Sequence, residues 1–120
     1  MITLAVFVTV YILLRKKYLS KEQAKLYCKQ IQTTSKLVPS HSLIESHKIL
    51  VSAVSEMQGK KANAAKLLNR IKSRVLDEKE MWFYHSMRNR AAHEVNFKVS
   101  ENDAKKARKV FKNVLEALVK

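Results

Sequence analysis

Arg88 and His93 stand five positions apart inside the stretch Met81–Glu94, MWFYHSMRNRAAHE. One side chain is a guanidinium that stays charged; the other is a titratable imidazole. Such a pair can hold a phosphate and move its protons without a metal. Asn89 precedes His93 by four positions, so on a helix its amide can bond the ring and select its tautomer. His85 lies one turn before Arg88 and Asn89, and Arg90 follows them, so both are further candidates for contact with an anionic substrate.

These residues need a helix to position them. At about 100° per residue, Tyr84, Met87, Ala91 and Val95 form an inward stripe, while Trp82, Asn89 and His93 align on a neighbouring one. Arg88 and His93 then diverge by about 140° and do not converge on one phosphate within a single chain. Two solutions exist. Either the helix ends before His93, or two copies of the motif build the site across a two-fold axis.

The rest of the chain bounds what can carry this helix. Its 120 residues allow one domain, and 24 Lys+Arg against 10 Asp+Glu leave a formal net charge of +14. A surface of that sign attracts polyanions, either nucleic acid or anionic lipid headgroups. Gly59 and Pro39 are the sole residues of their kinds, which argues for long helices and few turns. One glycine cannot make a phosphate-cradling loop. The single cysteine, Cys28, excludes an intrachain disulfide and any cysteine-based zinc site, and reads as a small, partly buried side chain. Four histidines without suitable Cys, Asp or Glu spacing make no convincing metal site, so no cofactor or metal is expected. Ser86 beside His85 has no third member for a nucleophilic triad.

Residues 1–14 carry no charge and are followed at once by Arg15-Lys16-Lys17. As a helix this run spans about 21 Å, short of the ~30 Å hydrocarbon core, though Tyr18, Leu19 and snorkelling of the basic triplet extend it. The reading is an N-terminal hydrophobic membrane helix over residues 1–19, single-pass in the inner or plasma membrane. The basic flank then puts the rest of the chain in the cytoplasm. The alternative is a segment buried against the domain or a partner.

Five further elements follow from periodicity and caps. Tyr18 to Thr34 continues the N-terminal helix, and residues 20–39 read as a juxtamembrane helix and linker. A helix follows Pro39, capped by Ser40 or Ser42, with Leu43, Ile44, Leu50, Val51, Val54 and Met57 as its apolar stripe and Gly59 as its stop. His47 falls on or beside that stripe and reads as a satisfied helix histidine. Residues 62–76 form a basic helix with Ala65, Leu67, Leu68, Ile71 and Val75 inward. Its Lys66, Arg70, Lys72 and Arg74 are candidates for phosphate-backbone contacts, or simply a solvated face. The motif helix begins near Asp77, whose pairing with Glu80 resembles a capping box. Ser100 and Asp103 start the last helix, with Ala104, Ala107, Val110, Phe111, Val114, Leu115 and Leu118 inward. Lys105, Lys106, Arg108, Lys109 and Lys112 fall outside that face. The fold class is all-α, a bundle of about four helices preceded by the hydrophobic helix.

The run Arg88-Asn89-Arg90-Ala91-Ala92-His93 resembles the R-x4-H motif of the HEPN superfamily, in which a polar residue usually follows the arginine. Trp82 upstream, Glu94 after the histidine, and an amphipathic helix after a short loop agree with it. The segment from Ser40 to Val119 resembles bacterial HEPN proteins throughout, including small ones with an N-terminal membrane helix. That resemblance implies a helical domain over residues 40–120 that forms a homodimer through its motif helices. It also implies a metal-independent endoribonuclease that leaves a 2′,3′-cyclic phosphate and a 5′-hydroxyl. His93 would be the general acid/base, Arg88 would hold the phosphate, and Asn89 would position the pair. RNA is the implied partner, with a toxin or defence role and an antitoxin or nucleotidyltransferase as further partners. Many relatives are instead non-catalytic modules that bind RNA, nucleotides or proteins.

Overall fold

The computed structural model describes residues 3–8 and 18–120. Residues 3–8 are helical with every side chain exposed, and most of the 1–19 anchor expectation lies outside the described residues. Among the described residues, no helix is long and apolar enough to cross a membrane. They contain no strand, only an isolated bridge between Leu19 and Val119.

Five helices build the bundle: α1 (Lys21–Thr33), α2 (Pro39–Gln58), α3 (Ala64–Ile71), α4 (Glu78–His93) and α5 (Glu101–Ala117). Helix α2 is central and packs against all four others, while α5 also packs on α1 and α4. The core joins Ile31 of α1, Leu43, Leu50 and Val54 of α2, Leu67, Leu68 and Ile71 of α3, Met81 of α4, and Phe111, Val114 and Leu115 of α5. Removing that apolar surface from water supplies the main drive for folding. Cys28 is half-buried, and its Sγ donates to the Lys112 carbonyl at 3.8 Å.

Local chemistry sets the ends, and several differ from expectation. Helix α1 does not continue the N-terminal helix, because Ser20 makes a full capping box with Gln23 and starts a new one. The preceding residue is held elsewhere: the Leu19 N–H donates to the Leu118 carbonyl at 2.9 Å. Helix α1 shares the core of the 40–120 segment through Ala24 and Ile31. Helix α2 begins at Pro39 itself, whose fixed φ suits the first helical position, so neither Ser40 nor Ser42 caps it. Buried Ser42 instead meets Thr34 at 3.1 Å and accepts from Arg108 Nη1 at 2.8 Å. Arg108, expected outside the last helix's packed face, is therefore half-buried on α2.

Gly59 ends α2 in the left-handed region at φ 64°, where a Cβ would be penalised. The basic helix is shorter than its periodicity suggested. Asn63 caps it, α-geometry stops at Ile71, a 3-10 turn covers Lys72–Arg74, and Ala65 is exposed. Asp77 and Ser100 accept from the backbone N–H of Glu80 and Asp103, capping α4 and α5 where expected, though the Glu80 side chain does not return the bond that would complete a capping box.

Candidate functional site

Helix α4 carries the site and remains α-helical to His93. That regularity removes the first solution to the Arg88/His93 divergence, because the helix does not end before the histidine. Met81 and Tyr84 define the buried side, Met87 and Ala91 flank it, and Val95 lies beyond the helix at 98% exposure. Val95 therefore does not extend the inward stripe. Trp82 Nε1 donates to Glu78 Oε1 at 3.2 Å, one turn earlier.

Arg88, Asn89 and His85 come together, and His47 of α2 joins them. The Arg88 Nη1 donates to Asn89 Oδ1 at 3.1 Å, Asn89 Nδ2 lies 3.4 Å from His85 Nε2, and His85 Nδ1 lies 2.8 Å from His47 Nε2. His47 is only 2% exposed. Its ring packs edge-on against Phe111 of α5 at 5.7 Å, and Trp82 packs edge-on against His85 at 5.5 Å. Burial pushes the His47 imidazole down to about 3, with His85 and then Arg88 adding in the same direction. Burial, then the Arg88 charge, also lowers His85. Both rings are neutral near pH 7.

Arg88 is half-buried, its Nε is enclosed without a hydrogen-bond partner, and among the described residues it makes no ion pair. A guanidinium held out of water with donors unmet favours an anion alongside it. His93 is different: it is exposed at the last turn, and its ring makes no hydrogen bond or ion pair among the described residues. It is the histidine of this helix with both nitrogens open to a substrate, whereas both nitrogens of His85 are engaged. Within one protomer the structure brings Arg88 to Asn89 and His85, not to His93.

The basic candidates fall into distinct settings. Arg90 is paired with Glu94 at 3.2 Å and lies over the Phe97 ring at 4.3 Å, so its charge is partly answered. Lys66 and Lys72 are exposed. Arg70 donates to Gln58 Oε1 at 3.1 Å, at the end of α2 about 16 Å of helix rise from His47. Arg74 donates to the Leu118 carbonyl at 3.3 Å and lies over the Tyr18 ring at 4.5 Å, so it clamps the chain rather than facing solvent freely. The residue that sequence reasoning undervalued is His47. Its signal was its place among Leu43, Leu50 and Val54 on the buried stripe, but its partner is thirty-eight residues away.

Among the described residues no group of three or more His, Cys, Asp or Glu is placed to hold a metal ion. Compared with known protein families, curated proteins and solved structures, the chain matches none.

Proposed function

We propose that this protein is a HEPN-type, metal-independent endoribonuclease that works as a homodimer, with Arg88 and His93 of both protomers facing a shared groove. The supporting observation is Arg88, a half-buried cation with no carboxylate partner among the described residues and a side chain oriented by Asn89. In this reading Arg88 holds the scissile phosphate and stabilises the charge that develops on it. His93 takes the proton of the ribose 2′-hydroxyl as that oxygen attacks phosphorus. The bond to the 5′-oxygen breaks, and that oxygen takes a proton back from a His93 imidazolium as it leaves, giving a 2′,3′-cyclic phosphate and a 5′-hydroxyl. The divergence of Arg88 from His93 on one regular helix is what calls for a second copy. Exposed Lys66 and Lys72, with the other surface lysines, would draw RNA in.

The test is cleavage of single-stranded RNA in EDTA by the full chain in mild detergent, beside His93→Ala and Arg88→Ala. Wild type should yield cyclic-phosphate ends, and both variants should lose cleavage while remaining folded. RNA left equally intact by all three at micromolar protein would sink the enzyme reading.

One observation favours a second reading, a non-catalytic RNA-binding module. Within a protomer Arg88 and His93 do not share a site, so an unpartnered chain would bind phosphate without cleaving. RNA binding that survives His93→Ala but weakens with salt would support that alternative. The membrane anchor belongs here as well: Leu4 and Phe7 are 75% and 72% exposed, and a basic triplet follows the apolar run. In this reading residues 1–19 tether the chain in a single pass with the bundle on the cytoplasmic face. Liposome flotation of the full chain, lost on removing residues 1–19, tests the tether, and protease protection of the bundle in vesicles tests its side. A toxin or defence role with an antitoxin or nucleotidyltransferase partner rests on the resemblance alone.

A further inference from the structure

We infer that His47 is a positioning residue for Arg88, acting through His85 and Asn89 by a hydrogen-bond chain that has one consistent direction. An arginine can only donate, so Arg88 Nη1 turns the Asn89 carbonyl oxygen towards itself. The amide orientation is then settled, and Asn89 Nδ2 faces His85 Nε2. An amide NH2 can only donate, so His85 Nε2 must present its lone pair. In a neutral imidazole the proton therefore sits on His85 Nδ1, which points at His47 Nε2 from 2.8 Å. That nitrogen must accept, so the proton of His47 sits on its own Nδ1. A single arrangement of protons serves all three hydrogen bonds, running inward from the cation to the core, while Arg88 Nε stays unpartnered.

The far end of this chain is the rigid one. His47 is packed against Phe111 in the core, and the chain carries its fixed position outward to a half-exposed side chain. If His47 offered no acceptor, the His85 proton would move to Nε2 and confront Asn89 Nδ2 with a second donor. The amide would turn over, and Arg88 would lose its side-chain acceptor. An arginine left to sample its rotamers holds a phosphate less well than one already set. Neither His47 nor His85 touches substrate in this scheme.

The consequence for catalysis rests on the ribonuclease reading, but the proton positions do not. The experiment uses the full chain with 15N-labelled histidine and arginine, as wild type, His47→Gln and His47→Leu. Long-range 1H–15N spectra at pH 7.5 should find His85 in the Nδ1–H form in wild type. His47→Gln should keep that form, because the carbonyl of the introduced amide accepts the same bond. His47→Leu fills the space without an acceptor, and should shift His85 to Nε2–H. The Arg88 Nη1–H resonance should be resolved in wild type and His47→Gln, and averaged by rotation in His47→Leu. In RNA cleavage, kcat/KM should fall about tenfold in His47→Leu, the worth of about one net hydrogen bond, with His47→Gln restoring most of it.

Wild-type His85 in the Nε2–H form, or an Arg88 resonance unmoved by His47→Leu, would overturn the inference. So would equal kcat/KM in the two variants. If wild type cleaves no RNA, the ribonuclease reading fails while the two spectral results still decide the positioning role. Should His47→Leu not fold, the wild-type tautomer and the matched behaviour of His47→Gln carry the decision.

Discussion

His85 Nδ1 and His47 Nε2 lie 2.8 Å apart, a hydrogen bond between two imidazoles that joins α4 to α2 inside the bundle. It requires a lone pair on His47 Nε2, so the buried His47 stays neutral, and that makes stability depend on pH. The unfolded His47 takes a proton near 6.5, while burial, His85 and Arg88 hold the folded ring down to about 3. Above pH 6.5 neither state binds that proton, and stability is full. As pH falls below 6.5 only the unfolded state binds it, so stability is lost progressively towards pH 3. The slope contributed by His47 approaches about 1.4 kcal/mol per pH unit, and the lowered His85 adds in the same sense. Urea unfolding between pH 7.5 and 5, where the carboxylates stay ionised, measures it. His47→Gln should flatten the dependence by about one proton; parallel curves would contradict a buried neutral His47.

Phe111 and His93 should respond oppositely to truncation. Phe111 is fully buried against the His47 ring, so Phe111→Ala should cost about 3–5 kcal/mol and disturb the His47–His85 bond. His93 is exposed at the end of α4, so His93→Ala should stay within about 0.5 kcal/mol of wild type. Chemical denaturation gives both numbers. A large loss for His93→Ala would mean that the side chain is structural, and would void its use as a catalytic control.

Arg74 and Lys72 separate clamping from RNA contact. Arg74→Ala removes the bond to the Leu118 carbonyl and the stacking on Tyr18, and should destabilise by about 1–2 kcal/mol. Lys72→Gln and Lys66→Gln should leave stability within about 0.5 kcal/mol. If this face binds RNA, each lysine variant should weaken binding and lower the slope of log K against log salt by about one. Unchanged slopes would move the interface elsewhere.

Ser20 tests where the bundle begins. Its capping box starts α1, so Ser20→Ala should cost about 1 kcal/mol in thermal or urea unfolding. A continuous helix through this position would tolerate alanine without loss.

Local signals made much of this legible. Asp77, Ser100 and Gly59 act within one turn, and each marks a helix end as their chemistry required. The seven apolar positions expected inward on the last helix are all buried, because burial there follows a strict 3.6-residue pattern. Ends were missed where two signals competed. Pro39 at the first helical position displaced the serine caps, and the strong cap at Ser20 overrode apparent helical continuity.

The sequence by itself determined the all-helical class, a helix carrying the motif, and the angle that a regular helix imposes between Arg88 and His93, because these follow from composition and periodicity. The regularity of that helix as far as His93 came from the structure. Only the tertiary structure decided that His85 meets His47 of another helix, that Arg74 and Arg108 are held by backbone and side-chain partners, and that His47 anchors the site. Those contacts join residues far apart in the chain. Their geometry depends on how α2, α4 and α5 pack, and helical periodicity assigns a face to each residue without naming its partner.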